Sequence, residues 1–176
     1  MKTDAADNQA LTAGTLIDGA RMYAAAADAV NVKLPNALHV LSHLLGMSSE
    51  LALKAYLRHH GVSDKELRKL GHDLRAIYAR SRDLGLLYTG SRNFRLSVLG
   101  ANYKARIFAY PEEANLVVIE PWSLREIVHD LITDIFIKIK GKATFDELRD
   151  QPGLCIQSDY SRNILPSAWA NTEQSN

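Results

Sequence analysis

The chain has 176 residues, of which 47% are hydrophobic and 23% charged, with 21 Lys and Arg against 20 Asp and Glu. That length suits one domain with its own core, and that composition excludes a chain disordered throughout. No apolar run reaches the length of a membrane span, and the N-terminus, with Asp4 and Asp7, lacks the apolar centre of a signal peptide. A cytoplasmic protein without membrane contact is the expectation.

Residues 1–11 are polar and read as a flexible tail. From Leu11 to Val30, Leu16, Ile17, Ala20, Tyr23, Ala24, Ala27 and Val30 form a helical stripe of mostly small residues, suited to close packing. A second helix follows from Leu34. Its Leu38, Leu41, Leu44, Leu45, Ser48, Leu51, Ala52, Ala55 and Tyr56 share one arc, while His39, His43, Glu50, Lys54 and Arg58 share the other. Glu50 and Lys54, one turn apart, are spaced to pair as ions. Gly61 is placed to end this helix, and Ser63 with Glu66 reads as a capping box that opens the next. That segment, Asp64 to Leu84, carries Leu67, Leu70, Leu74, Ile77 and Tyr78 at helical spacing, with a kink expected at Gly71 and a stop at Gly85. The two segments are expected to lie antiparallel.

Phe94, Leu96, Val98, Leu99 and Tyr103 permit a short helix whose length Gly90 and Gly100 limit. Val117, Val118 and Ile119 favour a strand, so a short β-hairpin or extended excursion is expected near residues 106–120. Ser123 and Glu126 form another capping-box pattern ahead of the apolar periodic run Leu124 to Ile139, which should stop near Gly141 with Lys138 and Lys140 against the helix dipole. Thr144 to Glu147 reads as a third capping box with a short helix behind it, and residues 166–176 as a second flexible tail. The fold expected is a mainly α antiparallel helical bundle forming a single domain over residues 12–150.

Charge is unevenly spread along the chain. Residues 54–106 hold 12 basic and 4 acidic groups, a balance of +8, whereas residues 1–53 carry −2 and residues 107–176 carry −5. Arg75, Arg80, Arg82, Arg92 and Arg95 alternate with Tyr78, Tyr88 and Phe94, a pattern able to follow a phosphate backbone and stack on bases. The competing reading is a solvated face balanced in space by the acidic C-terminal third. The single cysteine, Cys155, can form no internal disulfide and no cysteine metal site, in keeping with a reducing compartment.

The segment from Ser49 through Glu50-Leu51-Ala52-Leu53-Lys54-Ala55 to Leu57, followed by Gly61 and by Gly71-His72-Asp73-Leu74, resembles the HEPN-like domains (higher eukaryotes and prokaryotes nucleotide-binding). The resemblance spans roughly residues 15–140 in helix order, with its distinctive motifs inside residues 49–74. It implies a HEPN-like helical bundle, a homodimer, and an RNA- or nucleotide-binding module in a toxin-antitoxin or phage-defence setting, with an antitoxin or nucleotidyltransferase as partner. Lys54, Arg58, Arg68, His72, Arg75 and Arg80 are the candidate contacts to RNA or nucleotide.

Catalytic HEPN ribonucleases resemble one another in an arginine and a histidine with four to six residues between them, and work without metal. The arginine holds the scissile phosphate and the histidine transfers protons. Arg125 to His129 and Arg68 to His72 both have three intervening residues, one short of that pattern. A noncatalytic binding module is therefore the favoured reading, and a metal-independent endoribonuclease using Arg125 and His129 is the alternative. His72 reads as a turn-fixing residue bonded locally with Asp73. His39 with His43, and Glu126 with His129, lack the further ligands that zinc or a di-iron centre requires, so neither a metal nor another cofactor is expected. The sequence has no P-loop, dinucleotide-binding glycine pattern or nucleophile elbow.

Overall fold

The computed structural model describes residues 12–33, 37–104 and 121–150, and all regular structure among them is helical. The expected hairpin near residues 106–120 and both expected tails lie outside the described residues. Among the described residues, no helix is long and apolar enough to cross a membrane.

Helix α1 (Ala13–Lys33) begins where the Thr12 hydroxyl accepts the Thr15 backbone N–H. Its buried stripe is Leu16, Ile17, Ala20, Ala24 and Ala27. The small side chains let α2 (Leu38–His59) come close: Ser48 donates its hydroxyl to the Ala20 carbonyl at 2.8 Å. The α2 face built from Leu41, Leu45, Ser48, Ala52, Ala55 and Tyr56 is buried as expected. Glu50, assigned above to the polar side, is also buried; this corrects the expectation and locates the site described below.

The segment after Gly61 is two helices rather than one kinked helix. Helix α3 (Asp64–Leu70) opens on Ser63, whose hydroxyl accepts the Glu66 N–H, but the Glu66 carboxylate turns to Arg80 instead of closing the capping box. Gly71 then adopts φ 58° and ψ −128°, a region closed to residues with a Cβ, and the helix breaks. Helix α4 (Leu74–Asp83) restarts at once because the Asp73 side chain accepts the Ala76 N–H.

Two contacts fix the direction of α4. His72, just before it, reaches Glu50, and Leu84, just after it, accepts the Tyr56 hydroxyl through its carbonyl at 2.8 Å. Helix α4 therefore runs in the same sense as α2, not antiparallel to it as expected, because α3 has already carried the chain back. Helix α5 (Gly90–Lys104) returns along α4: Asn93 meets the Tyr78 hydroxyl, and Gly100 lies against Leu74 and Arg75. It is longer than expected, since Gly100 inside it costs about 1 kcal/mol while burying Leu96 and Leu99 contributes about 1.5–3 kcal/mol each.

Helix α6 (Pro121–Lys140) starts two residues before the Ser123 at which its cap was placed. It lies antiparallel to α1, through Asp28 with Arg125 at one end and Asp18 with Lys140 at the other. It is also antiparallel to α5, through Arg95 with Glu126 and Arg92 with Asp130. Helices α1 and α5 thus run one way and α2, α4 and α6 the other, around Ile17, Leu45, Leu53, Leu57, Ile127, Leu131, Ile135 and Phe136. Helix α7 (Lys142–Leu148) begins after Gly141, two residues ahead of the Thr144 cap that was expected, and packs Phe145 edge-on against Phe136.

Candidate functional site

The two Arg and His pairs singled out in the sequence have opposite fates. Arg125 and His129, one turn apart on α6, face inward and are 3% and 2% exposed. Both are held by Asp28 of α1. Arg125 donates Nε–H at 2.9 Å and places Nη2 at 2.8 Å from Oδ1, and His129 Nε2 lies 3.2 Å from the same carboxylate. Burial works against the charge on Asp28, but hydrogen bonding and charge from His129, then from Arg125, outweigh it and hold the carboxyl below its usual 3.8. The other ring nitrogen, Nδ1 of His129, is buried without a hydrogen-bond partner. With one nitrogen committed to Asp28 and the other enclosed, this imidazole has no atom through which to exchange a proton with a bound phosphodiester. The geometry is that of an interhelical lock between α1 and α6.

His72 is placed differently. Gly71 swings it out of the α3–α4 junction, so its side chain is 84% exposed, yet Nδ1 lies 2.9 Å and 3.1 Å from the two carboxylate oxygens of Glu50. A carboxylate can only accept, so Nδ1 donates to Glu50 and Nε2 is turned away from it. The local bond to Asp73 expected above is replaced by this long-range one, 22 residues distant in sequence. Asp73 serves instead as the cap of α4.

Glu50 is only 5% exposed and also accepts from Lys54 Nζ at 2.7 Å and from the Tyr103 hydroxyl at 3.1 Å. Three donors on one carboxylate offset the cost of burying it. Tyr103 reaches Glu50 because position 46, one turn before it on α2, is glycine: a Cβ there would run into the Tyr103 ring. Burial first, and then the Glu50 charge and hydrogen bond, push the Tyr103 hydroxyl far above its ordinary range, so it stays a donor.

The remaining candidate contacts divide by partner. Lys54 is tied to Glu50, Arg58 bridges the Val62 carbonyl and Asp64, and Arg80 pairs with Glu66. Arg58 and Arg80 tie α3 to α2 and to α4, whereas the Lys54 pair lies within α2. Arg68 and Arg75 are exposed and pair with no acidic side chain among the described residues. Lys65, Lys69 and Arg82 share that condition, so α3 and α4, the two helices that His72 joins, carry five exposed cations between them. The stem of Arg75 lies over Gly100, one turn before Tyr103 on α5.

The more distal part of the basic and aromatic array is internally balanced. Arg92 and Arg95 pair with Asp130 and Glu126 of α6, and Tyr78 and Tyr88 are buried with their hydroxyls on Asn93 and Asp134. Phe94 alone of the three aromatics is exposed.

Sequence reasoning missed Glu50 as a hub, Tyr103 and Asp28. Glu50 lies on the polar arc of α2, and its two long-range partners come from the turn before α4 and from α5, so spacing along α2 announces only the pair with Lys54. Asp28, a carboxylate directly after the run of four alanines in α1, was the available signal for the lock. Comparison of the chain with family models, with curated proteins and with solved structures gives no match.

Proposed function

We propose that this chain is a HEPN-like RNA-binding module whose ligand face is the outer side of α3 and α4. The observation that carries this reading is the exposed imidazole of His72, held by a buried carboxylate at the junction of two helices whose exposed cations pair with no described acidic side chain. Cations spread over two successive helices suit the repeating charge of a polynucleotide better than a single nucleotide. Lys54, Arg58 and Arg80 support this face from behind, and Arg68, Arg75 and His72 meet the ligand. The Asp28 lock argues against Arg125 and His129 as a cleavage centre. A homodimer, and an antitoxin or nucleotidyltransferase partner in a toxin-antitoxin or phage-defence setting, belong to the same reading.

The test is fluorescence anisotropy with an end-labelled, mixed-sequence single-stranded RNA across a salt series. Charge reversal of both Arg68→Glu and Arg75→Glu should weaken binding at least tenfold and reduce the slope of log affinity against log salt by about 1.4, two contacts at about 0.7 each. Lys142→Ala, on α7, should bind as the wild type does. Absence of salt-sensitive binding by the wild-type protein, or equal binding by the double variant, would overturn the reading.

A further inference from the structure

We infer that the outer faces of α1 and α2 are the surface on which two copies of this chain pair about a two-fold axis; the inference gives the homodimer of the reading above its contact and needs no RNA. Thr15, Gly19, Met22, Ala26 and Ala29 follow one another on α1 at alternating steps of four and three residues, the spacing at which one helix seats on another, and none carries a charge. All but Gly19 are exposed, Met22 to 72%. The charged side chains of α1 ahead of its last residue turn instead to α6: Asp18 to Lys140, Arg21 over the Phe136 ring, and Asp28 to Arg125. On α2, Leu51 lies beside Gly19, which sets the stripe of Val40, Leu44, Met47 and Leu51 along this seam, with Val40 51% exposed. Glu50 is the one Asp, Glu, Lys or Arg between Leu38 and Leu53, and it faces the other way, to His72 and Tyr103.

A two-fold contact sets a surface against itself, so a charge on it meets its own sign and a knob on it needs a hollow on the same surface. This face meets both conditions. Its residues include no Asp, Glu, Lys or Arg, and Met22 stands between Gly19 and Ala26, where the helix surface is low. With the two α1 helices antiparallel and the axis passing between Met22 and Ala26, Met22 of each copy lies over the partner's Ala26. Two neighbouring rods each about 10 Å across, open over about 25 Å of their length, offer about 500 Å² per copy. The pair then buries about 1,000 Å² in total, the lower limit for a specific contact, so the dimer is weak and concentration-dependent rather than obligate.

The experiment is sedimentation equilibrium of the full chain over a concentration series reaching the high micromolar range, with a reductant to keep Cys155 a thiol. The wild type is expected to pass from monomer to dimer with a micromolar Kd. Met22→Lys and Ala26→Glu, both at exposed positions that the fold tolerates, should each weaken pairing at least about tenfold while circular dichroism stays that of the wild type. Mixed in equal amounts, the two variants should pair again, because the substituted position of each copy meets the opposite charge on the other while the second contact of Met22 with the partner's Ala26 stays native. Damage to the fold would not be relieved in this way. Phe94→Lys, at an exposed apolar position on α5, should pair as the wild type does. A wild type that stays monomeric throughout leaves the face to a different protein and overturns the inference, as do a dimer that survives Met22→Lys, a mixture that fails to pair, or a dimer lost in Phe94→Lys alone. A monomer that binds RNA with the salt dependence given above leaves the binding reading standing; a dimer that binds none overturns that reading and not this one.

Discussion

Replacing Asp28 with alanine tests the lock directly. The substitution removes the carboxylate that accepts from both Arg125 and His129 while those side chains stay 4% and 3% exposed. Arg125 cannot shed its charge, so the variant contains a buried guanidinium without its counter-ion. Breaking a buried pair from one side costs about 3–5 kcal/mol. The 23% exposure of the Asp28 side chain lets some water reach the vacated site, which favours the lower end. For a chain of this size each kcal/mol moves Tm by about 2–4 °C, so Asp28→Ala should melt about 6–15 °C below the wild type when followed by far-ultraviolet circular dichroism at pH 7. The companion variant, Asp28→Leu with Arg125→Met and His129→Leu, replaces the whole cluster by apolar groups and should recover most of that loss, because it leaves no charge behind. A Tm for Asp28→Ala within 2 °C of the wild type would refute the lock and reopen Arg125 and His129 as mobile, accessible groups.

Further expectations follow from the same packing. The folded-state pKa of Asp28 is depressed, so its contribution to stability is fully present above the unfolded value near 3.8 and is lost as pH falls through the folded one; acid titration of urea stability should show that loss in the wild type and not in the apolar triple variant. Gly46→Ala drives a methyl group into the Tyr103 ring and should destabilise the fold by about 1–3 kcal/mol, and Tyr103→Leu in the same chain should relieve part of it, both read by urea denaturation. Gly71→Ala forces a Cβ into a glycine-only conformation at a cost of about 1–3 kcal/mol and should displace His72 from Glu50, seen as a changed imidazole NMR signal. Ser63→Ala removes the acceptor for the Glu66 N–H and should cost about 1 kcal/mol in a denaturant titration.

The chain's own pattern determined the helical elements and their inward faces. Helical spacing identified Ile17, Ala20, Ala24 and Ala27 in α1, Leu41, Leu45, Ala52 and Tyr56 in α2, and Leu131, Ile132, Ile135 and Phe136 in α6 as core. The Glu50 and Lys54 ion pair was likewise legible, because residues four apart on a helix are neighbours whatever surrounds them. Local rules reached their limit where a side chain had two competing partners. Glu66 had Ser63 nearby and chose Arg80; His72 had Asp73 nearby and chose Glu50.

Tertiary structure alone decided the reversal at Gly71 that sets α4 alongside α2 in the same sense, and with it the meeting of Glu50, His72 and Tyr103. It also decided which arginine and histidine face water. Two pairs with identical spacing, Arg68 with His72 and Arg125 with His129, were equivalent as sequence, yet one opens outward from a helix break and the other is enclosed between α1 and α6. The physical reason is that exposure depends on what packs across from a residue, and the groups across from these, Glu50 and Asp28, stand 22 and about 100 positions away. Sequence spacing fixes neighbours within a turn of helix; which distant carboxylate a buried cation or an imidazole finds is settled only when the helices close on one another.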